Sequence, residues 1–178
     1  MRRSARYFVA GGGGETPDMK EKFPNTRAVV FLKALGVPFE GHLYQYRGPG
    51  GIAKSAAKET GFAEDAVFKT LVFASEGAPV IAIVDAAHRV SLSKLTDAVG
   101  AHRRVVECSP ADAERLTGYH VGGISPFGLR RPIPVFLDAR AMNLEFMHIN
   151  GGSRGFAVTL RPADLVRILD ATVADLAV

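Results

Sequence analysis

Apolar and polar positions alternate between two periods along this chain, and the changes of period mark its elements. Val29, Val30, Leu32 and Leu35 recur at helical spacing after Asn25-Thr26, either of which can cap, and Gly36 closes the turn. Pro38–Tyr46 then alternates with period two and predicts a strand, followed by a turn at Gly48–Gly51 and a short helix over Ile52–Thr60. Val67–Ala74 and Pro79–Ala86 are β-rich runs joined by Ser75-Glu76-Gly77-Ala78, the pattern of a hairpin. Ser91 caps a helix running to Val99 before Gly100, and Arg103–Cys108 reads as a strand. Ser109-Pro110-Ala111-Asp112 supplies a cap, a proline at the first helical position and an acid in the first turn of a helix ending at Gly118. Ile133–Leu137, Glu145–Ile149 and Phe156–Leu160 read as strands, the last two joined by a turn at Asn150–Gly155, and Pro162–Leu169 as a closing helix. Short strands and helices without regular βαβ alternation predict an α+β domain with a mixed, curved, barrel-like β-sheet surrounded by helices.

Composition narrows the function classes. The 178 residues, 47% apolar and 22% charged, fit one soluble globular domain at 25–178, preceded by a tail or linker at 1–24 that carries Gly11–Gly14. No window approaches the ~18 uninterrupted apolar residues of a membrane span. Cys108 is the only cysteine, which excludes an internal disulfide and suits the reducing cytoplasm; it reads as a small buried hydrophobe. The net charge of +4 permits an anionic partner without requiring one.

Conventional catalytic sets are missing. His42, His88, His102, His120 and His148 show no metal-ligand spacing, so neither a metal nor another cofactor is expected. There is no nucleophile elbow and no phosphate- or dinucleotide-binding glycine pattern. Asp85 and Asp138, each ending a strand-like run, are the acids that stand out. Lys69 sits among apolar neighbours, with Val67 and Leu71 on its sheet face and Phe68, Thr70 and Val72 on the other. It is either an edge residue that snorkels or a cation held in a pocket. Gly118–Gly128 packs four glycines and Pro126 between two regular segments: a tight connection, or a rigid loop offering main-chain groups to a ligand.

Three motifs together, Val67-Phe68-Lys69-Thr70-Leu71, Thr117–Gly128 and Gly151-Gly152-Ser153-Arg154-Gly155, resemble the YbaK family of aminoacyl-tRNA editing domains over about residues 25–176. The family includes cysteinyl-tRNA(Pro) deacylases and the editing domain of prolyl-tRNA synthetases. The resemblance implies a stand-alone hydrolase that clears mischarged cysteine or another small residue from tRNA(Pro). It implies the mischarged tRNA acceptor end as partner, with prolyl-tRNA synthetase or another synthetase beside it. Lys69 falls on the family's essential lysine, and Thr70 and Tyr44 on pocket positions. Gly122, Gly123, Ile124, Ser125 and Pro126 fit the loop that holds the aminoacyl end, and the resemblance puts Asn150, Gly151 and Gly152 among the substrate-binding positions. In the cysteine-specific members the substrate's own thiol is held to attack its carbonyl; in relatives a terminal hydroxyl or a water does so.

Two positions depart from the cysteine-specific pattern. Asn150 stands where those members carry serine, and Ala157 where they carry an acid, which opens the choice to alanine or serine. The same departures motivate an alternative, a non-catalytic tRNA- or synthetase-binding module of the same fold. Lys54, Lys58, Arg103, Arg104, Arg130, Arg131 and Arg154 are the basic residues that could meet a tRNA, or merely solvated surface positions.

Overall fold

A computed structural model describes residues 4–7, 23–45 and 52–178. The Gly11–Gly14 run, Tyr46 and the turn at Gly48–Gly51 lie outside them. Among the described residues, nine strands form one mixed sheet: β1 Ser4–Tyr7, β2 Phe39–Leu43, β3 Val67–Ser75, β4 Ala78–Asp85, β5 Val106–Glu107, β6 Val135–Asp138, β7 Met147–Ser153, β8 Phe156–Leu160 and β9 Thr172–Ala174. The α-helices among the described residues are α1 Arg27–Ala34, α2 Ile52–Thr60, α3 Leu92–Val99, α4 Pro110–Thr117 and α5 Pro162–Leu169. The path β1-β2-β8-β7-β3-β4-β6-β9 carries β5 as a branch on β3, and the pairs β3–β7, β4–β6 and β6–β9 are parallel. The expected α+β class with a mixed sheet is what the chain forms. Within the leading stretch read as a tail, β1 pairs antiparallel with β2 at the sheet edge.

Local chemistry explains most element ends. Thr26, Ser91 and Ser109 accept from the third residue onward and cap α1, α3 and α4. Gly100 and Gly118 close α3 and α4 in the left-handed region, where a Cβ would be strained. Glu76 and Gly77, both at positive φ, make the two-residue turn that the β3–β4 hairpin needs.

The strands β3 and β4 are buried on both faces, so apolar residues occupy nearly every position rather than alternating. Phe68, Val72, Ile81 and Ile83 face a core built with Val29 and Leu32 of α1, Leu116 of α4 and Leu165 of α5. Phe73, Val80, Ala82 and Val84 face a second cluster built on Leu95 of α3. Val67 and Ala86 pack against Ala56 and Ala57 of α2.

Three expected strands are shorter or shifted. Within Pro38–Tyr46 the strand runs over Phe39–Leu43, and within Arg103–Cys108 over Val106–Glu107, where β5 meets Phe73 and Ala74 of β3. The strand ending at Ile149 continues through the expected turn to Ser153, with a bulge between Asn150 and Ser153, and the chain reverses at Arg154-Gly155.

Candidate active site

Between its contacts with β7 and β5, β3 has one open edge. β7 pairs with Val67 and Phe68, β5 with Phe73 and Ala74, and no strand among the described residues pairs there at Lys69, Thr70 or Leu71. A cavity of about 750 Å³ occupies this gap. Its walls bring together Lys69 and Thr70 of β3, Tyr44 after β2, Lys54 of α2, Gly122 and Ile124 of the central loop, Asn150 of β7 and Ala157 of β8. Cys108, Ser109 and Pro110 close the end near α4. Most of the lining is apolar, so the few polar groups must fix orientation.

Lys69 is half-buried, and its ammonium donates to the main-chain carbonyl of His88 at 2.5 Å. Burial draws its pKa below the ordinary lysine range, while the Asp85 carboxylate pulls it up and Lys54 and Arg89 push it down. Asp85 is itself 1% exposed. Its Oδ1 accepts from the Ala87 N–H at 2.9 Å, the His88 N–H at 3.0 Å and the His88 ring at 2.8 Å. The carboxylate thus folds the loop whose carbonyl holds Lys69.

Thr70 is 9% exposed, and its Oγ1 is the buried side-chain polar atom with no hydrogen bond among the described residues. Asn150 is fully engaged. Its Nδ2 donates to the Gly122 carbonyl at 3.1 Å and the Ser153 carbonyl at 3.2 Å, and its Oδ1 accepts from the Gly152 N–H at 2.7 Å. It staples the bulged hairpin to the central loop.

The loop is braced throughout. Tyr119 Oη donates to the Phe127 carbonyl at 2.6 Å, and burial pushes this phenol up to about 12. The Arg27 guanidinium lies 4.5 Å over the Tyr119 ring and donates to the Thr117 carbonyl at 3.1 Å. Glu114 accepts from the Val121 N–H at 2.9 Å, and Arg154 Nε donates to the Val121 carbonyl at 2.9 Å. Gly128, at φ 61°, abuts the backbone of Arg27, so closely that a Cβ would come within 2.5 Å of its carbonyl oxygen.

Five residues expected to touch substrate do not line the cavity. Ser125 is fully buried and accepts from the Phe127 N–H at 3.4 Å, and Pro126 is buried beside it. A Cβ on Gly123 would sit 3.0 Å from the Ser153–Arg154 backbone. One on Gly151 would sit 2.4 Å from the Phe156 ring, and one on Gly152 2.9 Å from Tyr119. These positions are small because loop, hairpin and core meet there. Of the basic candidates, only Lys54 lines the cavity, where it lies 3.5 Å from Glu64; Lys58, Arg103, Arg104, Arg130, Arg131 and Arg154 are exposed. Asp138 is structural: it accepts from the Leu176 and Ala177 N–H groups at 2.9 Å and anchors the C-terminal segment.

The sequence reading missed two polar systems. The Asp85–His88 bracket has one local signal, an acid two and three residues before the amides it accepts from. The second joins His42, Thr159 and His148 across β2, β8 and β7. Thr159 Oγ1 lies 2.8 Å from His42 Nε2 and 2.6 Å from His148 Nδ1, and His148 stacks on Phe62. Burial, with the neighbouring His42, lowers His148 to about 4. Among the described residues, no group of three His, Cys, Asp or Glu could hold a metal ion, and no helix is long and apolar enough to cross a membrane.

Comparison with known proteins follows the same geometry. The family model described as "Aminoacyl-tRNA editing domain" matches residues 50–168. The "Putative Cys-tRNA(Pro)/Cys-tRNA(Cys) deacylase EbsC" of Enterococcus faecalis is 27% identical over 158 residues, 88% of this chain and 96% of its own. A proline–tRNA ligase of Streptococcus suis is 31% identical over 97 residues, which are 54% of this chain and 16% of the ligase. Among solved structures, that of a "putative trans-editing enzyme for prolyl tRNA synthetase" superposes with a TM-score of 0.73 at 27% identity, covering 85% of this chain and 95% of that one. The match spans the β3 motif, the central loop and the bulged hairpin, and this chain belongs to the family of aminoacyl-tRNA editing domains, the YbaK family that its three motifs resemble.

Proposed function

We propose that this chain is a trans-acting deacylase that removes a mischarged small amino acid, cysteine, alanine or serine, from tRNA(Pro). The observation that carries the reading is one cavity shared by a half-buried lysine and the braced loop at Gly122 and Ile124. An aminoacyl ester is already activated, so orientation and charge stabilisation supply much of the acceleration without a strong side-chain base. A water molecule, oriented by the neighbouring ribose hydroxyl, adds to the ester carbonyl and gives up a proton. The bond from carbonyl carbon to ribose oxygen then breaks, the ribose oxygen takes up a proton, and the tRNA leaves with its hydroxyl restored. With water as nucleophile, the acyl group departs as the free amino acid. Lys69 acts as a fixed cation near the developing negative charge or the terminal phosphate, held in place by His88. Ala157 leaves the acyl pocket without the carboxylate of the cysteine-specific pattern, which favours small neutral side chains.

The test is a deacylation panel of purified protein against cysteinyl-, alanyl- and seryl-tRNA(Pro), with prolyl-tRNA(Pro) as the correctly charged control. Release of at least one mischarged residue well above the spontaneous rate supports the reading. Retained tRNA binding with no turnover of any ester would assign the chain to the binding-module alternative.

A further inference from the structure

Several main-chain groups of the central loop are already in use. The Val121 N–H is bound by Glu114, the Gly123 N–H by the His120 carbonyl, the Val121 carbonyl by Arg154 and the Gly122 carbonyl by Asn150. An unpaired stretch of main chain also borders the cavity on β3. In a strand, one residue's N–H and C=O leave on the same edge, and successive residues alternate edges. The Cys108 N–H reaches the Val72 carbonyl at 2.9 Å, which fixes the edge that Val72 presents to β5. Thr70, two residues earlier, turns its N–H and C=O to that edge, in the gap where neither β7 nor β5 pairs. Thr70 lines the same cavity, and its Oγ1 is buried without a hydrogen bond among the described residues. One residue therefore turns a main-chain donor and acceptor to the gap and holds an unpartnered hydroxyl beside them.

We infer that Thr70 reads the aminoacyl group as a one-residue β-strand, its N–H donating to the ester carbonyl and its C=O and Oγ1 accepting from the α-ammonium. The inference rests on the deacylase reading above. An aminoacyl ester carries an ammonium donor and a carbonyl acceptor across one Cα, which complements the C=O and N–H of an unpaired strand residue. Addition of an extended segment to an open edge is a common recognition mode, in which main-chain bonds give affinity regardless of side chain. It suits an editing site, which must hold several small amino acids by what they share. The N–H is also placed to stabilise the carbonyl oxygen as charge develops on it. The α-ammonium is thus a recognition element, and esters that lack it are poor substrates.

The test compares three esters of one tRNA(Pro): the alanyl form, its N-acetyl derivative and the isosteric α-hydroxy (lactyl) form. Each enzymatic kcat/KM is divided by the spontaneous hydrolysis rate of the same ester, because the ammonium also activates the bond. The expected result is a loss of at least about tenfold for both modified esters. Thr70→Val should lower turnover of the alanyl ester severalfold and narrow its advantage over the lactyl ester, and Thr70→Ser should restore both. Equal corrected rates for the alanyl and lactyl esters would overturn the inference while leaving the deacylase reading intact. Absence of turnover on all three esters, and on the cysteinyl and seryl forms, would overturn the reading and this inference with it.

Discussion

Lys69 and His88 are joined by a single hydrogen bond, from the lysine ammonium to the histidine main-chain carbonyl at 2.5 Å. The carbonyl is aimed because the buried Asp85 accepts from the Ala87 and His88 N–H groups and from the His88 ring. Asp85→Ala leaves those donors without their acceptor and frees the loop. A destabilisation of about 1–3 kcal/mol is expected, read by urea unfolding. Deacylation should fall about tenfold through kcat, since the cation is displaced rather than removed.

The same bracket sets a pH dependence. Lys69's pKa lies below the ordinary lysine range because burial disfavours the ammonium, an effect that Asp85 opposes. If the charged form is the working one, activity is full at neutral pH and lost as pH rises through that lowered pKa. Asp85→Asn removes the opposing charge, so the alkaline limb should move to lower pH. The rate profile, corrected for spontaneous ester hydrolysis, checks the shift; an unmoved limb would show that another group titrates.

Much of this site was legible before the fold was known, and the rest was not local. Alternation put Lys69 and Thr70 on opposite faces of a strand, and the two core clusters on either side of β3 bear that out. The capping residues and the β3–β4 turn were readable because each is settled within four residues of chain. The gap beside β3 was not, since it depends on where β5 and β7 let go of their neighbour. Arg103–Cys108 has the composition of a longer strand, yet only Val106 and Glu107 pair. Pro110, two residues beyond Cys108, has no N–H with which to extend the ladder. The role of Asn150 was hidden for the same reason: its three hydrogen bonds form at a bulge that no turn signal specifies.

Thr70 carries opposite consequences for stability and turnover. Its Oγ1 is buried without a partner, and replacing such a hydroxyl by a methyl removes a desolvation cost. Thr70→Val should therefore unfold at the same or a higher temperature, by up to about 1–3 kcal/mol of added stability, while deacylating more slowly. Differential scanning calorimetry beside the activity assay separates the two effects. A destabilised variant would mean that the hydroxyl has a partner in solution.

His148 makes the fold acid-sensitive. Its pKa falls from 6.5 to about 4 on folding because burial, and secondarily His42, disfavours the imidazolium. The unfolded chain therefore binds the proton more readily. The contribution of neutral His148 is complete above about pH 6.5 and is lost as pH falls toward 4. The melting temperature should drop across this window in the native protein and drop less steeply in His148→Gln. Parallel slopes would assign the acid sensitivity elsewhere.

The most direct measurement compares the native protein with Lys69→Ala and Lys69→Arg on the best mischarged tRNA(Pro), with melting temperatures taken in parallel. The account predicts a loss of at least about 100-fold in kcat for the alanine variant at an unchanged fold, with partial recovery in the arginine variant, which keeps the charge. Native-like turnover by a folded Lys69→Ala protein would contradict it.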